Sequence, residues 1–274
     1  MNIKKILVPI DFSEISLNAL RYAADFAQSN GAAIFLLHVA DPNSLLNDLK
    51  GNLSPEHLLS LVKEERFLTG IKTTSILKKG KIADLILEES RTNDVDLVVM
   101  GTQGAGNLTR TLIGTNTTKV VSHSKCPVLA IPGDATWQPV KKVVLAVDLE
   151  HRADNSILDV VNTMKKREAA ILAVYVGTSN DRENEAELNK YVDELKIKSQ
   201  YQKIVAKYIH SELFLGSLEN FILDIEADML VMITHHRGVF ESIFDPSVTK
   251  RLAFHTQVPL MVIPEIKHPV FFFT

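Results

Sequence analysis

Lys4-Lys5-Ile6-Leu7-Val8-Pro9-Ile10-Asp11 consists of two lysines, an unbroken apolar run and an aspartate. A run without polar alternation suits a strand covered on both faces, as in a parallel sheet between two layers of helices. The same stretch returns 137 residues later as Lys141-Lys142-Val143-Val144-Leu145-Ala146-Val147-Asp148. Two more segments recur at an offset of 132: Leu97-Val98-Val99-Met100 as Met229-Leu230-Val231-Met232, and the run from Cys126 to Pro132 as that from Val258 to Pro264. The chain is therefore written twice, with a net five-residue deletion in the second copy.

Each copy alternates short apolar, β-branched runs with amphipathic helical stretches, which predicts an α/β fold. The expectation is two tandem Rossmann-like domains, 1–136 and 137–274, each an open parallel five-stranded sheet flanked by helices. In the first, strands are expected near 3–9, 33–39, 72–77, 96–100 and 127–131, with helices near 14–30, 55–69, 81–92 and 113–124. In the second, strands are expected near 142–147, 169–175, 203–209, 228–232 and 259–263. Ser13 is a candidate N-cap for the first helix and Asn30-Gly31 its stop. The boundary falls in the polar stretch from Gly133 to Pro139.

Bulk properties narrow the classes of function. The hydrophobic share of 46% and charged share of 23% are those of a globular protein. No apolar run approaches the ~20 residues that span a bilayer. Acidic and basic residues balance in the first half, and the second carries the whole net charge of -3, so neither invites nucleic acid. The lone Cys126 cannot form an intrachain disulfide or a cysteine metal cluster, and the N-terminus enters a strand with no export pattern. A cytoplasmic setting is the expectation.

Chemistry concentrates after the strand that ends at Met100. There Gly101-Thr102-Gln103-Gly104-Ala105-Gly106 leads through Arg110 to Gly114-Thr115-Asn116 and a helix. Glycines let a backbone approach a polyphosphate closely, and the amides and dipole at a helix N-terminus attract an anion. The run matches neither the P-loop nor the dinucleotide fingerprint. It resembles instead the ATP signature of the universal stress protein family: Gly, two residues, Gly, nine residues, Gly, then Ser or Thr. Gly101, Gly104, Gly114 and Thr115 fit every position. The Val-Pro-Ile-Asp strand end, His38-Val39, Gly80 and the Cys-Pro-Val strand extend the resemblance over both halves.

The resemblance implies adenine nucleotide alpha hydrolase-like domains, with Pro9, Asp11 and Val39 holding adenine and ribose. Met100, Gly101, Gly104, Gly114, Thr115 and Asn116 would hold ribose and phosphates, and Mg²⁺ would accompany the triphosphate. It also implies an intrachain pseudo-dimer joined through the last strands, 127–131 against 259–263, with whole chains free to pair further. In the second half Gly101, Gly104 and Gly114 become Ile233, His236 and Pro246, and Thr115 becomes Ser247, so no ATP is expected there although Asp148 is kept.

Plainer readings stand beside these. The glycines alone suit a surface loop, Asp11 suits a helix cap, Cys126 an inert core position, and Arg110 and Lys119 a solvated face. His235-His236-Arg237 suits an anion site or half of a metal site, or more plainly a solvated polar stretch, and Val270-Phe271-Phe272-Phe273 reads as a segment that packs on its own chain or a partner. The expected function is an ATP-binding stress-response module, a nucleotide-dependent switch or scaffold with a regulatory protein partner. No catalytic residue is assigned. A slow ATPase or phosphotransfer enzyme, and a nucleotide-free interaction protein, are the alternatives.

Overall fold

Ile6, Leu7 and Val8 are all fully buried, as an unbroken apolar run requires. Ile6 and Val8 face one apolar cluster and Leu7 faces another, so two layers of helix enclose the strand. The computed structural model describes residues 1–40, 54–102, 114–150, 152–178, 182–234 and 258–264.

The first half runs β1 (Lys5–Pro9), α1 (Glu14–Asn30), β2 (Ala33–Ala40), α2 (Pro55–Lys63), β3 (Thr73–Lys79), α3 (Ile82–Thr92), β4 (Leu97–Gly101), α4 (Thr115–His123) and β5 (Val128–Ile131). The second runs β6 (Lys142–Ala146), α5 (Asp154–Lys165), β7 (Ala170–Gly177), α6 (Arg182–Ser199), β8 (Ile204–His210), α7 (Phe214–Asp224), β9 (Met229–Thr234) and β10 (Leu260–Pro264). Each expected strand is present. The helix expected over 55–69 stops at Lys63 and a 3₁₀ turn follows at Arg66–Leu68. Lys63-Glu64-Glu65-Arg66 offers no apolar side chain to hold another turn against the sheet, whereas Leu68 is buried by the tighter turn.

All ten strands form one sheet in the order β3-β2-β1-β4-β5-β10-β9-β6-β7-β8. Neighbours are parallel except β5 and β10, which pair antiparallel through Leu260↔Ala130, Met261↔Leu129 and Val262↔Val128. Each half alone would leave its last strand as an open edge, and this pairing covers both. The sheet is thus continuous across the two copies.

Helices cross the same seam. The Arg167 guanidinium, at the end of α5, lies over the Phe26 ring of α1 at 3.9 Å. It ion-pairs with Asp25 and donates to Ser29 Oγ at 2.9 Å. Lys166 Nζ donates to Asn30 Oδ1 at 2.9 Å. The connection between the halves is pinned to α1, with Asn18 Nδ2 donating to the Ala135 carbonyl at 2.6 Å and the Tyr22 hydroxyl to that of Thr136 at 3.1 Å.

The repeated lysine pair has a shared structural use. Asp96, at the start of β4, accepts the Lys4 and Lys5 amides at 2.8 and 2.9 Å, and Asp228 accepts those of Lys141 and Lys142 at 2.8 and 2.7 Å. Lys5 Nζ reaches the Asn93 carbonyl at 2.8 Å, and Lys142 Nζ reaches that of Ile225. Both copies are clipped at the strand N-terminal side, opposite the end that faces ligands in such folds. No helix among the described residues is long and apolar enough to cross a membrane.

Candidate functional site

Within each half the strand order reverses between the first and fourth strands, and that switch point opens a crevice beyond the strand C-termini. In the first half β1 lies between β2 and β4, which brings Pro9, Val39 and Gly101 to one rim. Pro9, Val39 and Gly101 are half-buried. Met100 is 5% exposed and belongs to the apolar cluster shared with α3 and α4, so only its main chain can serve a ligand.

The start of α4 closes the other side. Gly114 is its N-cap, with no side-chain cap, and Thr115 and Asn116 are exposed in the first turn. The Gly114 amide donates to the Thr102 carbonyl at 2.6 Å, and Thr117 Oγ1 donates to the Gly101 carbonyl at 3.1 Å. These bonds seat the helix start over the end of β4. A Cβ on Gly114 would lie 3.1 Å from the Thr102 oxygen, a tight contact that asks the carbonyl to give by a few tenths of an ångström, while φ itself is ordinary. An uncapped helix N-terminus with no acidic residue in its first turn attracts an anion through its amides and dipole. Lys119 pairs with Asp84 at 2.5 Å, and its ammonium holds the Asp84 carboxyl below the usual carboxylate range. Gly104 and Arg110 lie outside the described residues.

Asp11 follows β1 and is exposed. It is not the helix cap. Ser13 takes that part, accepting the Ser16 amide at 3.2 Å, while Asp11 Oδ1 accepts the Ser13 amide at 3.1 Å and the Ser13 hydroxyl at 2.5 Å. Between them Phe12 holds a left-handed φ of 62°, and its ring lies 4.7 Å from that of His38. His38, at the end of β2, is buried, with Nδ1 2.8 Å from the Ile10 carbonyl oxygen.

The second half differs at the corresponding strand ends. Ile233 stands where the first half has Gly101, and it is 8% exposed. Tyr175 and Tyr208 replace His38 and Leu77 at the same register, with ring centroids 5.9 Å apart. Burial pushes the Tyr175 hydroxyl upward, with Glu150 and Asp148 adding to the shift. His235, His236, Arg237, Pro246, Ser247 and the terminal phenylalanines lie outside the described residues. Elsewhere, Cys126 is half-buried with Ser124 Oγ 3.4 Å from its sulfur, and burial raises its thiol.

A sequence profile described as the universal stress protein family matches residues 2–132 and again 139–264. The chain belongs to the universal stress protein family. A universal stress protein from Mycolicibacterium smegmatis is 22% identical over 284 residues, spanning 94% of this chain and 96% of its own length. One from Methanocaldococcus jannaschii is 31% identical and covers 47% of this chain with 94% of itself. The solved structure of a universal stress protein from Archaeoglobus fulgidus matches with a TM-score of 0.72 at 20% identity, over 96% of this chain and 98% of that one. That likeness speaks for the fold, two Rossmann-like units in tandem. Of the positions expected from sequence, Pro9, Asp11, Val39, Met100, Gly101, Gly114, Thr115 and Asn116 of this universal stress protein gather at the strand ends and the α4 start. Phe12, His38 and Thr117 also shape the rim. Of these three, sequence marks only His38, through the His38-Val39 strand end.

Proposed function

We propose that the N-terminal half binds ATP across the ends of β1, β2 and β4, and that occupancy works as a switch or scaffold for a regulatory protein in the cytoplasm. The observation that carries this reading is the N-terminus of α4, which has no side-chain cap and is seated over β4 with Thr115 and Asn116 exposed. Phosphate oxygens would take the first-turn amides and the Thr115 hydroxyl, with Gly101 and Gly104 allowing close approach. Asp11 would accept from ribose hydroxyls or the adenine amine, and Pro9 and Val39 supply apolar contact for the base. Mg²⁺ would ride on phosphate oxygens and water, with no protein ligand assigned to it. Binding of this kind stabilises the occupied conformation by mass action.

Calorimetric titration of the full chain with ATP and Mg²⁺ tests the reading. Gly114→Val is expected to weaken binding more than about tenfold, a loss of ~1.4 kcal/mol. Ile233→Ala in the second half is expected to leave affinity unchanged. Melting curves separate the local cost of the tight Thr102 contact from loss of the site. A native chain that takes up no ATP, or equal losses in both variants, overturns the proposal. Single-turnover ADP release at ~1 s⁻¹ or faster would mark an enzyme instead of a switch.

A further inference from the structure

We propose that His38 is a positioning residue of this site, holding Asp11 in place for the nucleotide through Ile10 on one side and Phe12 on the other. The inference rests on the ATP reading above. Two contacts and one enforced backbone angle converge on a single turn. The Ile10 carbonyl can only accept, so His38 Nδ1 carries the proton and donates across 2.8 Å in a buried setting. The ring of Phe12 lies 4.7 Å from the imidazole at 36°. Phe12 also holds φ at 62°, a conformation that a bulky residue keeps only where its surroundings enforce it.

Asp11 is the residue between these two anchors. Its Oδ1 is already turned onto the Ser13 amide and hydroxyl, which joins the arrangement to the α1 cap. The imidazole therefore links the end of β2 to the turn after β1, so the carboxylate presented to a ligand is ordered before the ligand arrives. The second half provides a comparison inside the same chain. Asp148 keeps the turn, with Oδ1 accepting the Glu150 amide at 2.9 Å. Tyr175 replaces His38 and its ring pairs with Tyr208, and Leu149, in the place of Phe12, is not among the described residues with a left-handed φ. The anchoring thus occurs in the half with the intact glycine motif.

The test is a double-mutant cycle on the full chain, titrating Mg·ATP into the native protein, His38→Leu, His38→Asn, Asp11→Ala and His38→Leu with Asp11→Ala. Asparagine places an amide donor near the position of Nδ1 and leucine does not. His38→Leu is expected to bind about tenfold more weakly and His38→Asn to stay within about threefold of native, the scale of one buried hydrogen bond. In the Asp11→Ala background the His38→Leu change is expected to cost less than about twofold, because neighbours that act together are not additive. Native-like binding by His38→Leu, equal weakening by leucine and asparagine, or additive losses would overturn the role of His38 alone. Failure of the native chain to take up ATP would overturn the site reading and this proposal with it. If His38→Leu does not fold, Phe12→Ala removes the ring contact, leaves the hydrogen bond, and enters the same cycle with the same expected non-additivity.

Discussion

Tyr22 shows how one side chain ties pH to folding. It is 1% exposed, its hydroxyl donates to the Thr136 carbonyl, and burial pushes its pKa up to about 12. Between the unfolded value of ~10 and the folded one, the native state binds more protons than the unfolded state, so stability must fall as pH rises through that window. The full contribution is present below pH ~10 and is lost once both states are ionised, a matter of a few kcal/mol. Tyr22→Phe is expected to cost ~1 kcal/mol at neutral pH through the missing hydrogen bond and to flatten the alkaline decline. Urea melts from pH 8 to 12 check both. Nothing in the sequence flagged Tyr22, because its partner is a carbonyl in the connection between halves, distant along the chain.

Among the elements, β1 and β6 were legible at once, since an unbroken apolar run has few other uses. Their lysine pairs were legible as a repeat but not as clips, since the clipping aspartates stand just before β4 and β9 and only the sheet order brings them near. Asp96→Ala leaves the Lys4 and Lys5 amides without their carboxylate and is expected to destabilise by ~2 kcal/mol. ATP affinity should not change, because the clip lies at the far end of the strand from the site. Chemical denaturation and calorimetry on the same variant would show whether the two effects separate. At α4 the glycine spacing pointed to the correct helix start. The ligand reading of Gly114 nevertheless shares the position with a structural one, the 3.1 Å approach of the Thr102 oxygen. At α2 periodicity failed, since the polar stretch from Lys63 to Arg66 kept helical composition without an apolar stripe.

Over the whole molecule, the antiparallel β5–β10 pair and the α1–α5 contact make two copies into one body. The Arg167 side chain is 6% exposed, and its Nε has no hydrogen-bond partner among the described residues, so its burial depends on Asp25, Ser29 and the Phe26 face. Asp25→Ala strands that charge and is expected to destabilise by ~3 kcal/mol. Replacing Arg167 and Asp25 together with apolar residues should recover much of the loss, read from denaturant midpoints. Sequence could announce the duplication but not this contact, because neither Arg167 nor Asp25 belongs to the repeated segments.

Because β5 and β10 run in opposite directions within one sheet, the strand C-termini of the two halves emerge at opposite margins of the molecule. The rim formed by Asp11 and Gly114 and the strand ends beside Ile233 therefore look away from each other. A partner resting over the first rim therefore cannot also rest on the second, and any coupling between the two ends has to pass through the shared sheet.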